Sequence, residues 1–129
     1  MLKSGILNPA LLHLLARVRH TNTLVIADRG FPSWPQVETV DLSLVDGVPT
    51  VLQVLAAIRP NFGIGRAFAA QEFLRANPPA ALRNLKKHLA GVPLQFEAHV
   101  DFKKRVPHAT GLIRTGDTIP YANLIVESA

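Results

Sequence analysis

The chain has no cysteine, which excludes disulfides, thiolate nucleophiles and zinc–thiolate sites at once. Aromatic residues are scarce, with one Trp, one Tyr and six Phe, so few side chains are available to stack on bases. No apolar run reaches the ~20 residues that a membrane span requires, because Arg, His, Gln or Pro breaks each one. The opening Met1-Leu2-Lys3-Ser4-Gly5 lacks a signal-peptide core, so the expectation is a cytoplasmic protein that enters no membrane. G-x-G-x-x-G, P-loop, G-x-S-x-G and metal-spaced histidine pairs are missing too. Phosphate cradling, hydrolase elbows and zinc hydrolysis thus lose their usual signals.

What is present is an apolar fraction of 48% spread over all 129 residues, with no internal repeat and no low-complexity tract. Length and composition predict one folded domain, residues 1–129, with a substantial core. Fourteen Lys and Arg against nine Asp and Glu give a formal net charge of +5. The cations are scattered, from Arg17, Arg19 and Arg29 through Arg83, Lys86 and Lys87 to Lys103, Lys104, Arg105 and Arg114. They form no single stripe, which argues against a nucleic-acid partner.

Asn8-Pro9 is a helix start, and Leu11, Leu14, Leu15 and Val18 follow at helical spacing, so a helix is expected to about Arg19. Thr23 to Asp28 is a β-branched apolar run and predicts a strand, ended by the loop chemistry of Gly30-Phe31-Pro32. Thr39 to Leu42 is a second candidate strand. Thr50 caps a helix through Val51, Val54, Leu55 and Ile58, which Pro60 stops. Gly65 to Glu72 has alanines that favour helix, but its place between two helices favours a crossover strand. Asn77-Pro78 repeats the helix start, with Leu82, Leu85 and Leu89 on the apolar face and Arg83, Lys86 and Lys87 solvated. Leu94 to Ala98 alternates as a strand, His99 to Lys104 forms one or two helical turns, and residues 111–114 and 123–126 are two last short strands. Alternating helices and strands predict a layered α/β fold.

The polar residues at the predicted strand ends are His20, Asp28, His99, Lys103, Tyr121 and Asn123. A histidine exchanges protons near neutral pH, and a carboxylate can orient it. At the end of the first helix, His20 can equally serve the helix dipole. His99 and Lys103 stand four apart, so on a helix they point the same way toward one polar ligand, or else lie on an exposed turn. Strand alternation places Tyr121 and Asn123 on one face, where they meet a ligand or satisfy the neighbouring turn. His13, His88 and His108 read as surface residues.

These residues fall within a longer ordered set: Gly5-Ile6-Leu7-Asn8, His20-Thr21-Asn22-Thr23, Ala27-Asp28-x-Gly30-x-Pro32, Gly47-Val48-Pro49, His99-x-x-Phe102-Lys103 and Ile113-Arg114-Thr115-Gly116-Asp117-x-x-Pro120-Tyr121-Ala122-Asn123. The set resembles the D-ribose pyranase family over nearly the whole chain. The resemblance implies a single-domain α/β/α fold with a mixed central sheet. It implies an isomerase, without cofactor or metal, that interconverts pyranose and furanose forms of ribose. The family's catalytic histidine corresponds to His20, and its sugar-binding residues to Asp28, His99, Lys103, Tyr121 and Asn123. Ring-shaped homo-oligomers, typically decamers with sites between subunits, are implied as well. A fucose mutarotase and a non-catalytic sugar-binding protein are the alternatives.

Three positions depart from the family pattern. Arg19 stands in place of a common glycine, Asn22 in place of an aspartate, and Arg29 in place of a small residue. The expectation is that two added cations and one lost carboxylate surround His20. Strand length adds a geometric expectation. At ~3.3 Å per residue, His20 and Asp28 lie on the order of 20 Å apart, too far to hold one pentose. His20 is therefore expected to reach the site from a neighbouring subunit.

Overall fold

A computed structural model describes residues 1–129. Six strands, β1 (Thr23–Ala27), β2 (Thr39–Asp41), β3 (Ile64–Ala70), β4 (Leu94–Glu97), β5 (Gly111–Arg114) and β6 (Leu124–Ser128), form one sheet in the order β2-β5-β1-β6-β3-β4. β6 runs antiparallel to both of its neighbours, β1 and β3, and every other pair is parallel. Five strands therefore point one way and β6 points back. This is the mixed sheet that the resemblance implies.

Alternation along the central strands divides the core between the two faces. Leu24 and Ile26 of β1 join Ala67, Ala69, Ile113, Leu124 and Val126 in a cluster of 18 buried residues. The helices α1 (Pro9–Arg17), α2 (Val51–Ile58) and α4 (Pro79–Leu89) cover that face with Leu11 and Leu14, with Val51, Val54, Leu55 and Ile58, and with Leu85 and Leu89. Val25, Ala27, Phe68, Leu112 and Ile125 face the other way, into a smaller cluster of nine with Phe31, Val37, Phe102 and Val106. There the cover is α5 (His99–Arg105) and the loop after β1. The result is a three-layer α/β/α sandwich with one thin layer.

Local chemistry explains most boundaries. Asn8 caps α1 by accepting from the Leu11 N–H at 2.9 Å, and the helix stops at Arg17, two residues before the expected end. Thr50 and Gln53 close a reciprocal capping box at the start of α2. β3 ends at Ala70, so Glu72, expected inside the strand, instead opens the five-residue helix α3 (Glu72–Ala76). Asn77 does not cap α4, whose cap residue is Pro78 with no side-chain bond. Its amide donates to the carbonyls of Phe73 and Pro120.

Candidate active site

Because β6 is reversed, its first residue pairs near the carboxyl ends of β1 and β3, on the sheet edge where β4 and β5 also end. Asp28 follows β1, His99 begins α5 directly after β4, and Asn123 precedes β6. Asp28, Gly30, Phe31, Pro32, His99, Pro120, Tyr121 and Asn123 line an open cleft of about 240 Å³ there. Crevices at the carboxyl edge of α/β sheets are the usual place for small ligands.

Asp28 is locked in place. Its Oδ2 accepts from Nδ2 of Asn123 at 3.0 Å, its Oδ1 accepts from the Gly30 N–H at 2.9 Å, and its own N–H donates to Oδ1 of Asn123 at 2.7 Å. Asn123 is buried and spends both ends of its amide on Asp28, leaving one Nδ2 hydrogen for a ligand. Tyr121 and Asn123 do line the same cleft, but not by strand alternation. Residues 119–122 form a turn in which Tyr121 has φ 57°, and β6 begins only at Leu124.

The imidazole of His99 sits among aromatic rings. Its centroid is 5.2 Å from Tyr121 at 81°, 6.1 Å from Phe31 at 80°, and 6.0 Å from Phe102, nearly parallel at 13°. Nδ1 is buried without a partner, which leaves Nε2 to meet a ligand. Burial, and then the Lys103 ammonium, push this histidine below its ordinary value, while Glu72 and Asp28 oppose them. The ring is thus neutral near pH 7. Lys103 lies half-buried one turn along α5, outside the lining residues of the cleft.

His20 is elsewhere. It is exposed on the turn before β1, closed by the Asn22 N–H donating to the Arg19 carbonyl at 3.0 Å and the Arg19 N–H donating to Oδ1 of Asn22 at 3.0 Å. The adjoining Thr21 donates its N–H to the carbonyl of Ser128, at the far end of β6. The five residues of β1 separate this edge from Asp28, a span of roughly 15 Å. Asn22 performs the turn-closing bond that an aspartate oxygen would make. The expected clustering of cations around His20 does not occur within one chain: Arg29 lies past the opposite end of β1, where both Asp46 oxygens hold its guanidinium at 2.8 Å.

Three non-glycine residues adopt left-handed backbone: Thr21 at φ 64°, Tyr121 at φ 57° and Ala90 at φ 48°. Ala90 ends α4 as its cap. The other two are the third residues of the hydrogen-bonded turns 19–22 and 119–122, where a positive φ recurs, although for a β-branched threonine the conformation is strained. One adjoins His20 and the other is a cleft residue.

Two supports were not foreseen from the sequence beyond their place in a motif. Arg114 donates through its guanidinium to the carbonyls of Asp28, Arg29, Phe31 and Pro32 at 2.7 to 3.4 Å, clamping the loop that carries Asp28. Asp117, 2% exposed, accepts from the Val51 N–H at the start of α2 at 2.8 Å and from the Ile119 N–H at 2.9 Å. It joins a helix N-terminus to the turn bearing Tyr121. Asp117→Ala orphans two N–H groups and removes a carboxylate from the positive end of α2. Its expected cost is about 3 kcal/mol, read as a lowered midpoint in urea unfolding. Gly116, beside it, is packed so closely that a Cβ would strike the carbonyl oxygens of Val45 and Val48. No local pattern in the sequence reveals either the Arg114 clamp or the bond from Asp117 to α2, because those partners lie 66 to 86 residues away.

The fold is a mixed α/β/α sandwich in which an amide just before the reversed strand holds a carboxylate, with a histidine lining the same cleft. It is thus an α/β protein that gathers acid–base groups at the carboxyl edge of its sheet. The chain belongs to the RbsD / FucU transport protein family, whose model matches residues 1–129. A D-ribose pyranase from Geobacillus kaustophilus is 43% identical over 128 residues, covering 99% of this chain and 93% of that protein. The structure of Bacillus subtilis RbsD complexed with D-ribose matches with a TM-score of 0.92 at 33% identity, over 100% of this chain and 98% of the other. A fucose mutarotase from Streptococcus pneumoniae, solved with L-fucose, shares the fold at a TM-score of 0.81 and 21% identity, over 98% and 94% of the two chains.

Proposed function

We propose that this chain is an isomerase that interconverts the pyranose and furanose forms of D-ribose, or of a closely similar monosaccharide, by opening and reclosing the hemiacetal ring without a cofactor. The observation that carries the reading is the meeting of Asp28, His99, Tyr121 and Asn123 in one open cleft. In ring opening the anomeric hydroxyl loses its proton as its oxygen becomes the aldehyde carbonyl. The bond from C1 to the ring oxygen breaks, and the ring oxygen gains a proton. The open chain rotates, and another hydroxyl attacks the carbonyl to close the other ring. Protons given and taken balance, so oriented acid–base groups are sufficient.

In this proposal His20 is the catalytic residue and donates the proton to the ring oxygen. Asp28, His99, Tyr121 and Asn123 hold sugar hydroxyls, with Lys103 reaching in from the rim. His20 comes from a neighbouring subunit, because its own edge of the sheet is a strand length away from the cleft. A homo-oligomeric ring, decameric and cytoplasmic, completes the reading.

Saturation-transfer NMR tests it. With the wild-type protein, exchange between ribose pyranose and furanose signals rises well above the buffer rate. Acceleration confined to α–β exchange of L-fucose selects the mutarotase reading, and sugar binding by calorimetry with exchange at background selects a non-catalytic binder.

A further inference from the structure

The short helix α3 has no ligand-facing part in the proposed reaction, yet each of its ends is tied to the cleft. At its start, both carboxylate oxygens of Glu72 accept from the backbone N–H of His99, at 3.1 and 2.9 Å. The neighbouring Gln71 N–H donates to the Glu97 carbonyl at 2.7 Å, joining the connections that follow β3 and β4. Just past the other end of α3, Nδ2 of Asn77 donates to the Phe73 carbonyl at 3.0 Å and to the Pro120 carbonyl at 2.9 Å. Pro120 leads directly into the left-handed Tyr121. The two segments held in this way carry the edge-to-face pair of His99 and Tyr121, 5.2 Å apart.

Each tie meets a need of the backbone it holds. His99 is the first residue of α5, so its N–H has no partner within that helix. Ala98 before it offers no side-chain acceptor. Glu72 supplies one from another element, and the direction of α5, hence of the imidazole, depends on that contact. The 119–122 turn is outside the sheet and is fixed from one side by Asp117 and from the other by Asn77.

We propose that Glu72 and Asn77 are positioning residues, and that α3 acts as a bracket setting the distance and angle between His99 and Tyr121 for the sugar. The inference rests on the proposed function for its kinetic consequence, though not for its structural one. The charged and titratable groups facing His99 are Lys103 on its own helix, Glu72 from α3, Asp28 after β1 and Tyr121 from the turn. Of these, Glu72 and Asp28 favour the imidazolium and Lys103 disfavours it. Removing the Glu72 charge therefore moves the titration of His99 further down.

The test uses the intact protein and the variants Glu72→Gln, Glu72→Ala and Asn77→Ala. Glu72→Gln keeps an acceptor oxygen for the His99 N–H and loses only the charge. In sugar-free protein, the ring-current shifts that His99 and Tyr121 impose on each other across 5.2 Å are expected to be kept in Glu72→Gln and lost in Glu72→Ala and Asn77→Ala. For ribose ring exchange, kcat is expected to fall about tenfold in Glu72→Ala and in Asn77→Ala, with KM within about threefold of wild type. The double alanine variant falls by less than the product of the two, because both changes release the same ring pair. His99–Tyr121 ring-current shifts that stay at their wild-type values in folded Glu72→Ala and Asn77→Ala overturn the proposal, as does a kcat within about twofold of wild type in folded Asn77→Ala. If the alanine variants do not fold, Asn77→Asp, which keeps the size of the side chain and loses both donors, takes their place, and a kcat within about twofold of wild type in it overturns the proposal. A wild-type protein inactive on ribose contradicts the proposed function, while the sugar-free ring-current shifts still judge the bracket.

Discussion

His20→Ala lowers ribose ring exchange by about 10² to 10⁴-fold, the usual worth of a positioned general acid. Ribose affinity, measured by calorimetry, is expected to change little, because the proposed hydroxyl contacts come from the opposite sheet edge and the proposed proton transfer occurs only as the ring opens. The expectation rests on position and strain. His20 is exposed, and the residue beside it is a threonine in left-handed conformation. Within one chain it serves no visible purpose in the core. The alternative role at the end of α1 is weakened by where that helix stops, at Arg17, with Val18 already extended. His108→Ala, which removes a surface imidazole, is the control and leaves exchange unchanged. An equal loss in both variants would remove His20 from the mechanism.

Asp28→Asn reduces kcat/KM for ribose by roughly one to two orders of magnitude. Both carboxylate oxygens are acceptors already in use, one for Nδ2 of Asn123 and one for the Gly30 N–H. An asparagine has only one acceptor oxygen. Whichever way its amide turns, an NH₂ faces one of those donors, so the side chain must leave its place or break a bond. The substitution is nearly isosteric, so the loss comes from hydrogen-bond polarity and charge rather than volume. Rates from saturation transfer and affinities from calorimetry separate the two parts. A variant with wild-type kcat/KM would show that Asp28 takes no part in holding the sugar.

The elements were legible in the sequence where local chemistry decides them. The Asn8-Pro9 and Thr50 starts, the β-branched run of β1 and the alternation of β4 all predict what is observed, within one or two residues at the ends. The α/β/α layering with a mixed sheet follows the family resemblance. The separation of His20 from Asp28 was also readable, since a strand has a fixed rise per residue. Long-range polar bonds hid the rest. Glu72 looked like a strand end because nothing near it shows that its carboxylate binds a backbone N–H 27 residues away. Asn77 looked like a helix cap because Asn-Pro usually is one, but the Pro120 carbonyl 43 residues on claims its amide. Tyr121 was placed by alternation, which fails in a turn. Of the candidate ligand residues, Asn123 is the one whose part changes most, since its amide is committed to Asp28 before any sugar arrives.

The central claim is a site completed by two subunits, and mixing two inactive variants tests it most directly. His20→Ala chains retain an intact cleft, and Asp28→Ala chains retain an intact histidine. When the two are unfolded together, refolded and shown by mass to share oligomers, about a quarter of the sites pair a good cleft with a good His20 from its neighbour under random assembly. The account predicts that ribose exchange returns to that fraction of wild type, although each variant alone is at background. Mixed oligomers that stay at background would contradict it.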